Sequence, residues 1–178
     1  MAPAPFVIRG AREDDAPALA RIYWRAGALF IDTAHPEVVD PDPPAAALFA
    51  RLARQGALLV AAAGGDRPAG FLGWMPATLL DGTPALHVGE LDMDPALHGR
   101  GGGTMLLRAA EALARRTGRG AVTLSTFIDV PWNAPFYARR GYHVMDPADW
   151  PPVCRGEVER MAAAGQDVSA RVVMMRRV

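Results

Sequence analysis

The chain has 178 residues, 51% of them hydrophobic and 21% charged, a balance that belongs to folded globular proteins and excludes intrinsic disorder. Nineteen cationic side chains, every one an arginine, are matched by nineteen acids for a formal charge of zero. The broad basic surface of a general nucleic-acid binder is therefore not expected, and the single cysteine, Cys154, rules out an internal disulfide or a multi-cysteine metal site.

A chain of this size can bury one continuous core, so a single domain over residues 1–178 is expected. No apolar run approaches the roughly 20 residues that span a bilayer. The opening MAPAPFVIRG lacks the basic, apolar and small-residue segments of a secretory signal, which leads us to expect a cytoplasmic protein without a membrane partner. No repeat, heptad array or low-complexity tract is visible.

In chain order, residues 6–9 form a short apolar strand, and Asp14 or Asp15 caps a helix through Leu19, Ile22 and Tyr23, with Pro17 tolerated in its first turn. Prolines and acids over residues 30–44 make a loop, and a helix follows over 45–55. Residues 58–63 and 69–75 read as two antiparallel strands joined at Gly64, Gly65, Asp66 and Arg67. After a turn at 81–84, residues 86–93 form a strand that ends at Asp94 and Pro95. A helix opens at the glycines near residue 101; Met105, Leu106, Ala109, Ala110, Leu113 and Ala114 recur on one face, while Arg108, Glu111, Arg115 and Arg116 take the others. Glycines 118 and 120 stop it. Strand 121–127, a short helix at 133–140, strand 142–145, a helix at 153–164 and a terminal strand at 168–175 complete an α+β domain.

The residues between strand 86–93 and its following helix carry the chemistry. Glu90, Leu91, Asp92 and Met93 end the strand, and His98, Gly99, Arg100, Gly101, Gly102, Gly103 and Thr104 turn the chain. Glycines allow a sharp turn and a close approach to an anion, and a helix N-terminus presents its free N–H groups and positive dipole end. The turn is no P-loop, because the sequence contains no lysine to clamp a phosphate. Neither register of G-x-G-x-x-G fits, since Thr104 or Leu106 falls at the third glycine.

The segment instead resembles the acetyl-CoA signature of the GNAT superfamily, Q/R-x-x-G-x-G/A, matched from His98 to Gly103 with histidine where Gln or Arg is usual. A second stretch, Asp129, Val130, Pro131, Trp132, Asn133, Ala134, Pro135, Phe136, Tyr137, Ala138, Arg139, Arg140, Gly141 and Tyr142, resembles the second block of that family, N-x-x-A-x-x-F-Y-x-x-x-G-F/Y, with Ala134 directly after Asn133. The resemblance implies a central mixed, mostly antiparallel sheet of about six to seven strands flanked by helices. It also implies an N-acetyltransferase that takes acetyl-CoA as acyl donor and a primary amine as acceptor.

By the same resemblance, the amides of Gly99, Arg100, Gly101, Gly102, Gly103 and Thr104 hold the pyrophosphate beside His98. The strand end at Leu91, Asp92 and Met93 pairs with the pantetheine arm, and Asn133 and Tyr137 join the cofactor contacts. Amine acylation needs a base, an oxyanion donor and an acid. Glu90 is the candidate base, through water, with Asp92 on the same strand face as the alternate. The Met93 N–H is the candidate oxyanion donor. Tyr137 is the candidate acid, because a phenol of pKa about 10 can protonate a thiolate of pKa about 8.5.

Asp32 and His35, in the loop after the first helix, and Asp129 and Trp132, beside the second block, are candidate acceptor contacts; the loop also carries Glu37, Asp40 and Asp42, which would attract a cationic amine. His35, His87, His98 and His143 show no metal-ligand spacing, and no metal is expected. Cys154 reads as a semi-buried small hydrophobe. A degenerate acyl-CoA-binding module that senses or scaffolds would carry the same signatures, and the acceptor and a homodimer are left open.

Overall fold

The computed structural model describes residues 6–178; residues 1–5, on which part of the reading of a leader-free amino terminus falls, lie outside the described residues. The elements are Val7–Gly10 (β1), Ala16–Gly27 (α1), Ala46–Arg54 (α2), Leu58–Ala63 (β2), Arg67–Thr78 (β3), Pro84–Met93 (β4), Gly102–Arg116 (α3), Ala121–Phe127 (β5), Ala134–Ala138 (α4), His143–Val144 (β6), Pro152–Ala163 (α5) and Arg171–Arg177 (β7). The strands form one seven-stranded sheet in the order β1-β2-β3-β4-β5-β7-β6. Pairs β1/β2, β2/β3, β5/β7 and β6/β7 are antiparallel, and β4/β5 is parallel. This is the mixed, mostly antiparallel α+β sheet expected from the sequence. The parallel pair requires a crossover, which α3 supplies. Among the described residues no helix is long and apolar enough to cross a membrane.

The chain divides into two compact units. One comprises the chain up to Trp74 with Glu90–Ala110, the other Met75–Gly89 with Glu111–Val178. In the first unit, α1 and α2 place Leu19, Ile22 and Phe49 against Leu58, Val60 and Phe71 of β2 and β3. The Phe49 and Phe71 rings meet edge-on at 5.4 Å, the arrangement that the ring quadrupoles favour. Pro17 sits in the first turn of α1, where its missing N–H has no helical partner to lose. Asp15 precedes that helix, but its carboxylate does not cap it. It accepts instead from Arg9 Nη1 at 2.7 Å and from the Arg12 amide at 2.7 Å. Burial opposes its ionisation, yet those hydrogen bonds prevail and hold its pKa below the ordinary carboxylate value.

In the second unit, β5 pairs along its whole length with β7, from Ala121/Arg177 to Phe127/Arg171. Its pairing with β4 is shorter, running only from Ala85/Ala121 to Val88/Leu124. The turn at 79–83 closes with Leu79 N donating to Thr83 O at 2.9 Å.

Strand β3 is longer than the expected 69–75. Pro68 and Pro76 resemble strand breakers in the sequence, but Pro68 pairs with Ala62 at an irregularity in the register, where a missing ladder donor is tolerated. Strand β7 starts three residues later than expected and runs to Arg177, and α4 is confined to five residues. Helix α3 buries Leu106, Leu107, Ala110 and Ala114 but leaves Met105 exposed. Glu111, expected on an outward face, is buried; its ion partners, described below, account for the difference.

Candidate active site

In the first unit, β4 ends at Met93 and the chain turns back on itself. The Asp94 amide donates to Ala69 O of β3 at 2.8 Å, so Asp94 N points toward β3. Strand alternation then turns the N–H and C=O of Leu91 and Met93 toward the opposite edge of β4. Those residues lie beyond Val88/Leu124, where the pairing with β5 has ended. The N–H and C=O of Leu91 and the N–H of Met93 thus face the side of β4 away from β3.

A short 3-10 turn, Pro95–Leu97, follows, capped by the Asp94 carboxylate accepting from the Ala96 amide at 3.0 Å. Arg25, in the last turn of α1, donates to the same carboxylate at 3.0 Å. The His98 ring then reaches back, its Nε2 3.1 Å from Met93 O. A carbonyl oxygen only accepts, so Nε2 carries the hydrogen. Gly99 and Gly101 adopt φ of 73° and 88°, the left-handed region that a Cβ disfavours.

Helix α3 begins at Gly102, and its first ladder bond is donated by Met105 to Gly101 O at 3.0 Å. The amides of Gly102 and Gly103 therefore precede the ladder at the positive end of the helix dipole. Gly99, Arg100 and Gly101 are exposed, and Gly103 and Thr104 are half-buried. Gly102 is buried, and a Cβ there would strike Met93 Cε and sit 3.2 Å from Phe6 Cε2. The Met93 side chain fills the slot left by Gly70 and Gly102, so it is the Met93 backbone, and not its thioether, that borders the open edge.

The other face of β4 carries Glu90 and Asp92, both half-buried. Burial, reinforced by the charge of Glu90, drives the Asp92 carboxyl well above its usual range, because two neighbouring carboxylates resist ionising together. Tyr23 of α1 adjoins them. Burial first, then the charges of Glu90, Asp40 and Asp92, push its phenol upward. The Trp24 indole donates to Asp40 O at 3.1 Å, so adjacent aromatics of α1 hold Asp40 near the acidic pair. In the same loop Asp32 is exposed, whereas His35 is buried, with Nδ1 3.7 Å from Glu37 Oε1 and its amide donating to Thr33 Oγ1 at 3.1 Å.

In the second unit, Asn133 stands at the N-cap of α4, but its side chain makes no capping bond; its carbonyl accepts from the Phe136 amide at 2.8 Å. Tyr137 is half-buried, its ring 5.1 Å from that of Phe136 and 6.0 Å from that of Tyr142. Asp129 is exposed, as is Trp132.

Residues 18–142 match the Acetyltransferase (GNAT) family. The chain belongs to the GNAT acetyltransferase family. The match runs through both glycine turn and second block, and solved GNAT structures share the fold. PaiA N-acetyltransferase from Thermoplasma acidophilum, solved in complex with coenzyme A, superposes with a TM-score of 0.71 at 14% identity over 97% of this chain and 99% of that one. A GNAT family acetyltransferase from Listeria monocytogenes gives 0.68 at 9% identity over 97% and 95%. Ard1 from Thermoplasma volcanium gives 0.64 at 18% identity over 98% of each chain.

This GNAT protein also contains two polar clusters that sequence reasoning missed. In one, Glu111 of α3 accepts from the Tyr142 hydroxyl at 3.2 Å and from Arg176 Nη1 at 3.0 Å. In the other, His87 of β4 is fully buried, with Nδ1 3.1 Å from Thr123 Oγ1 and 3.4 Å from Cys154 Sγ, and Nε2 3.3 Å from Glu157 Oε2. Cys154 is not semi-buried but wholly inaccessible. Burial lowers the His87 pKa, but Cys154 and Glu157 outweigh it and raise the value to about 9, so the imidazole is a buried cation at neutral pH. A histidine with no ligand-like spacing gives no sequence signal for such a cluster.

Proposed function

We propose that this GNAT protein transfers an acetyl group from acetyl-CoA to a primary amine within a ternary complex. The observation that carries this reading is the turn after β4, where left-handed Gly99 and Gly101 lead into a helix N-terminus whose first amides precede the ladder. Such a turn suits a diphosphate, since backbone donors and the dipole end together favour an anion. The edge N–H and C=O of Leu91 are suited to hydrogen-bond the amides of a pantetheine arm, as an added strand would.

Acetyl-CoA supplies the activated acyl carbonyl and the leaving thiol. Because burial and the Glu90 charge push the Asp92 carboxyl upward, Glu90 is the carboxylate that takes a proton from the acceptor ammonium through water. The freed nitrogen lone pair forms the new C–N bond as the C–S bond breaks. The Met93 N–H polarises the carbonyl oxygen, and Tyr137 donates its proton to the departing sulfur and regains one from the product nitrogen, which sheds its second proton as the amide forms. Asp40 and Asp32 supply negative charge suited to a cationic acceptor, and Asp129 and Trp132 are retained as further acceptor contacts.

The test is incubation with acetyl-CoA and an amine panel, following coenzyme A formation and acceptor mass. An increase of 42 Da on one amine with stoichiometric coenzyme A supports transfer, 42 Da being roughly the mass of an added acetyl group. Acetyl-CoA binding by calorimetry with no product from any amine would favour the sensor alternative. No heat of association with either acetyl-CoA or coenzyme A would overturn both.

A further inference from the structure

A buried carboxylate is costly unless it is paired and hydrogen-bonded, and Glu111, at 3% exposure, invites the question of what its charge holds in place. Tyr142 donates its hydroxyl to Oε1 at 3.2 Å, and Arg176 Nη1 reaches Oε1 at 3.0 Å and Oε2 at 3.1 Å. The same Arg176 nitrogen donates to Arg140 O at 2.9 Å, gripping the backbone two residues before Tyr142. The Tyr142 amide donates to Tyr137 O at 3.2 Å, and Gly141 between the two grips has φ of 84°. Arg140 in turn lies 3.6 Å over the Phe136 ring and donates to Phe136 O at 2.6 Å. The Tyr137 ring is thus wedged between an aromatic fixed by Arg140 and an aromatic fixed by Glu111.

We propose that Glu111, acting through the Tyr142 hydroxyl, is a positioning residue that orients the Tyr137 phenol for proton donation. The inference rests on the reading of Tyr137 as the acid. Two phenols stand side by side here, and their surroundings separate them. Tyr142 is buried and its hydroxyl is committed to a carboxylate; burial and the Glu111 charge push its pKa upward, so it stays protonated and serves as a strut. Tyr137 is half-buried. Its ring neighbours carry the nearby charges: Tyr142 is bonded to Glu111 of α3, which Arg176 of β7 also holds, and Phe136 lies under Arg140. A leucine and a phenylalanine could fill the same volume without a desolvation cost. The ionic arrangement adds directional bonds that a purely apolar contact lacks.

The experiment compares Glu111→Gln and Tyr142→Phe, both near-isosteric, with Tyr137→Phe, measuring kcat, KM for acetyl-CoA and the pH profile of kcat. Both variants should lower kcat by about 5- to 20-fold with KM for acetyl-CoA changed less than about 2-fold. The alkaline limb of kcat should move to lower pH in Glu111→Gln, where the negative charge bonded to Tyr142, whose ring lies 6.0 Å from that of Tyr137, is removed. It should move to higher pH in Tyr142→Phe, where the carboxylate loses a donor. In a Tyr137→Phe background neither change should lower kcat further. Unchanged kcat and an unmoved limb, with only a lower melting temperature, would overturn the inference. Where Glu111→Gln fails to fold, Tyr142→Phe, which retains ring and charge, decides by the same readouts. Full activity in Tyr137→Phe would instead remove the acid assignment, a result distinct from loss of the strut.

Discussion

The imidazole of His98 lies 3.1 Å from the carbonyl oxygen of Met93, so the side chain at the usual Gln or Arg position of the glycine turn is bonded to its own strand end. This bond closes the turn from the inside. Glutamine can make the same N–H to carbonyl bond and alanine cannot. His98→Gln should therefore bind coenzyme A within about 2-fold of the parent, and His98→Ala about 3- to 10-fold more weakly, a loss of about 1 kcal/mol. Titration calorimetry of both variants checks this, and equal weakening in the two would show that the bond does not matter.

Gly70 marks the narrowest point behind the open edge of β4. A Cβ there would collide with Met93 Sδ and sit 2.6 Å from Asp92 O. The thioether can swing aside, but the Asp92 carbonyl belongs to the strand that carries Glu90 and Met93. Gly70→Ala should cost about 1–3 kcal/mol of stability through overpacking and lower kcat as the strand shifts. Denaturant melts and steady-state kinetics measure the two effects separately, and an unchanged unfolding midpoint would contradict the prediction.

The acidic pair on β4 gives a signed pH effect. Because the folded state raises the Asp92 pKa above its ordinary value of 3.8, the native chain holds a proton that the unfolded chain releases as pH rises. Stability is then lost with increasing pH from about 4 upward. Asp92→Asn should raise the melting temperature at pH 7 and leave it nearly unchanged near pH 3. Glu90→Gln, by contrast, should lower kcat by about 100-fold or more at pH 7. Loss of equal size in Asp92→Asn would move the base to Asp92.

His87 gives the opposite arrangement of charge. Its pKa is raised from 6.5 to about 9, so its contribution is fully present below about pH 6.5 and is lost as pH rises through about 9. Between pH 7 and 10 the melting temperature should fall by roughly 5 °C from this source. His87→Gln and Glu157→Gln should flatten that decline while lowering stability at pH 7. Melts across the range settle it, and an equally steep decline in His87→Gln would remove the imidazole as its cause.

The succession of strands and helices along the chain and the glycine turn were legible because local rules bear on them directly, whereas the order of strands in the sheet was not. Short apolar runs beside glycine punctuation marked residues 58–63 and 121–127 at the bounds later observed, and Gly99 and Gly101 fell where the backbone adopts positive φ. The spatial partners were harder to read. Tyr23, Asp40, Glu90 and Asp92 come from α1, a loop and β4, and no spacing rule joins them. Glu111 follows a helical pattern in which a charge reads as solvated, and only the approach of Tyr142 and Arg176 makes it an interior residue. The ends of β3 were misplaced because a proline in a sequence does not announce whether its missing donor matters.

The inaccessible sulfur of Cys154, lodged against His87 and Thr123, makes this chain silent toward disulfide dyes while it is folded. In a test of the proposed transfer, colour developed by such a dye would come from released coenzyme A alone, so progress curves would need no protein blank. A slower increment of one equivalent per chain would then time the lifting of α5 from the sheet, letting catalysis and local opening be followed in a single cuvette.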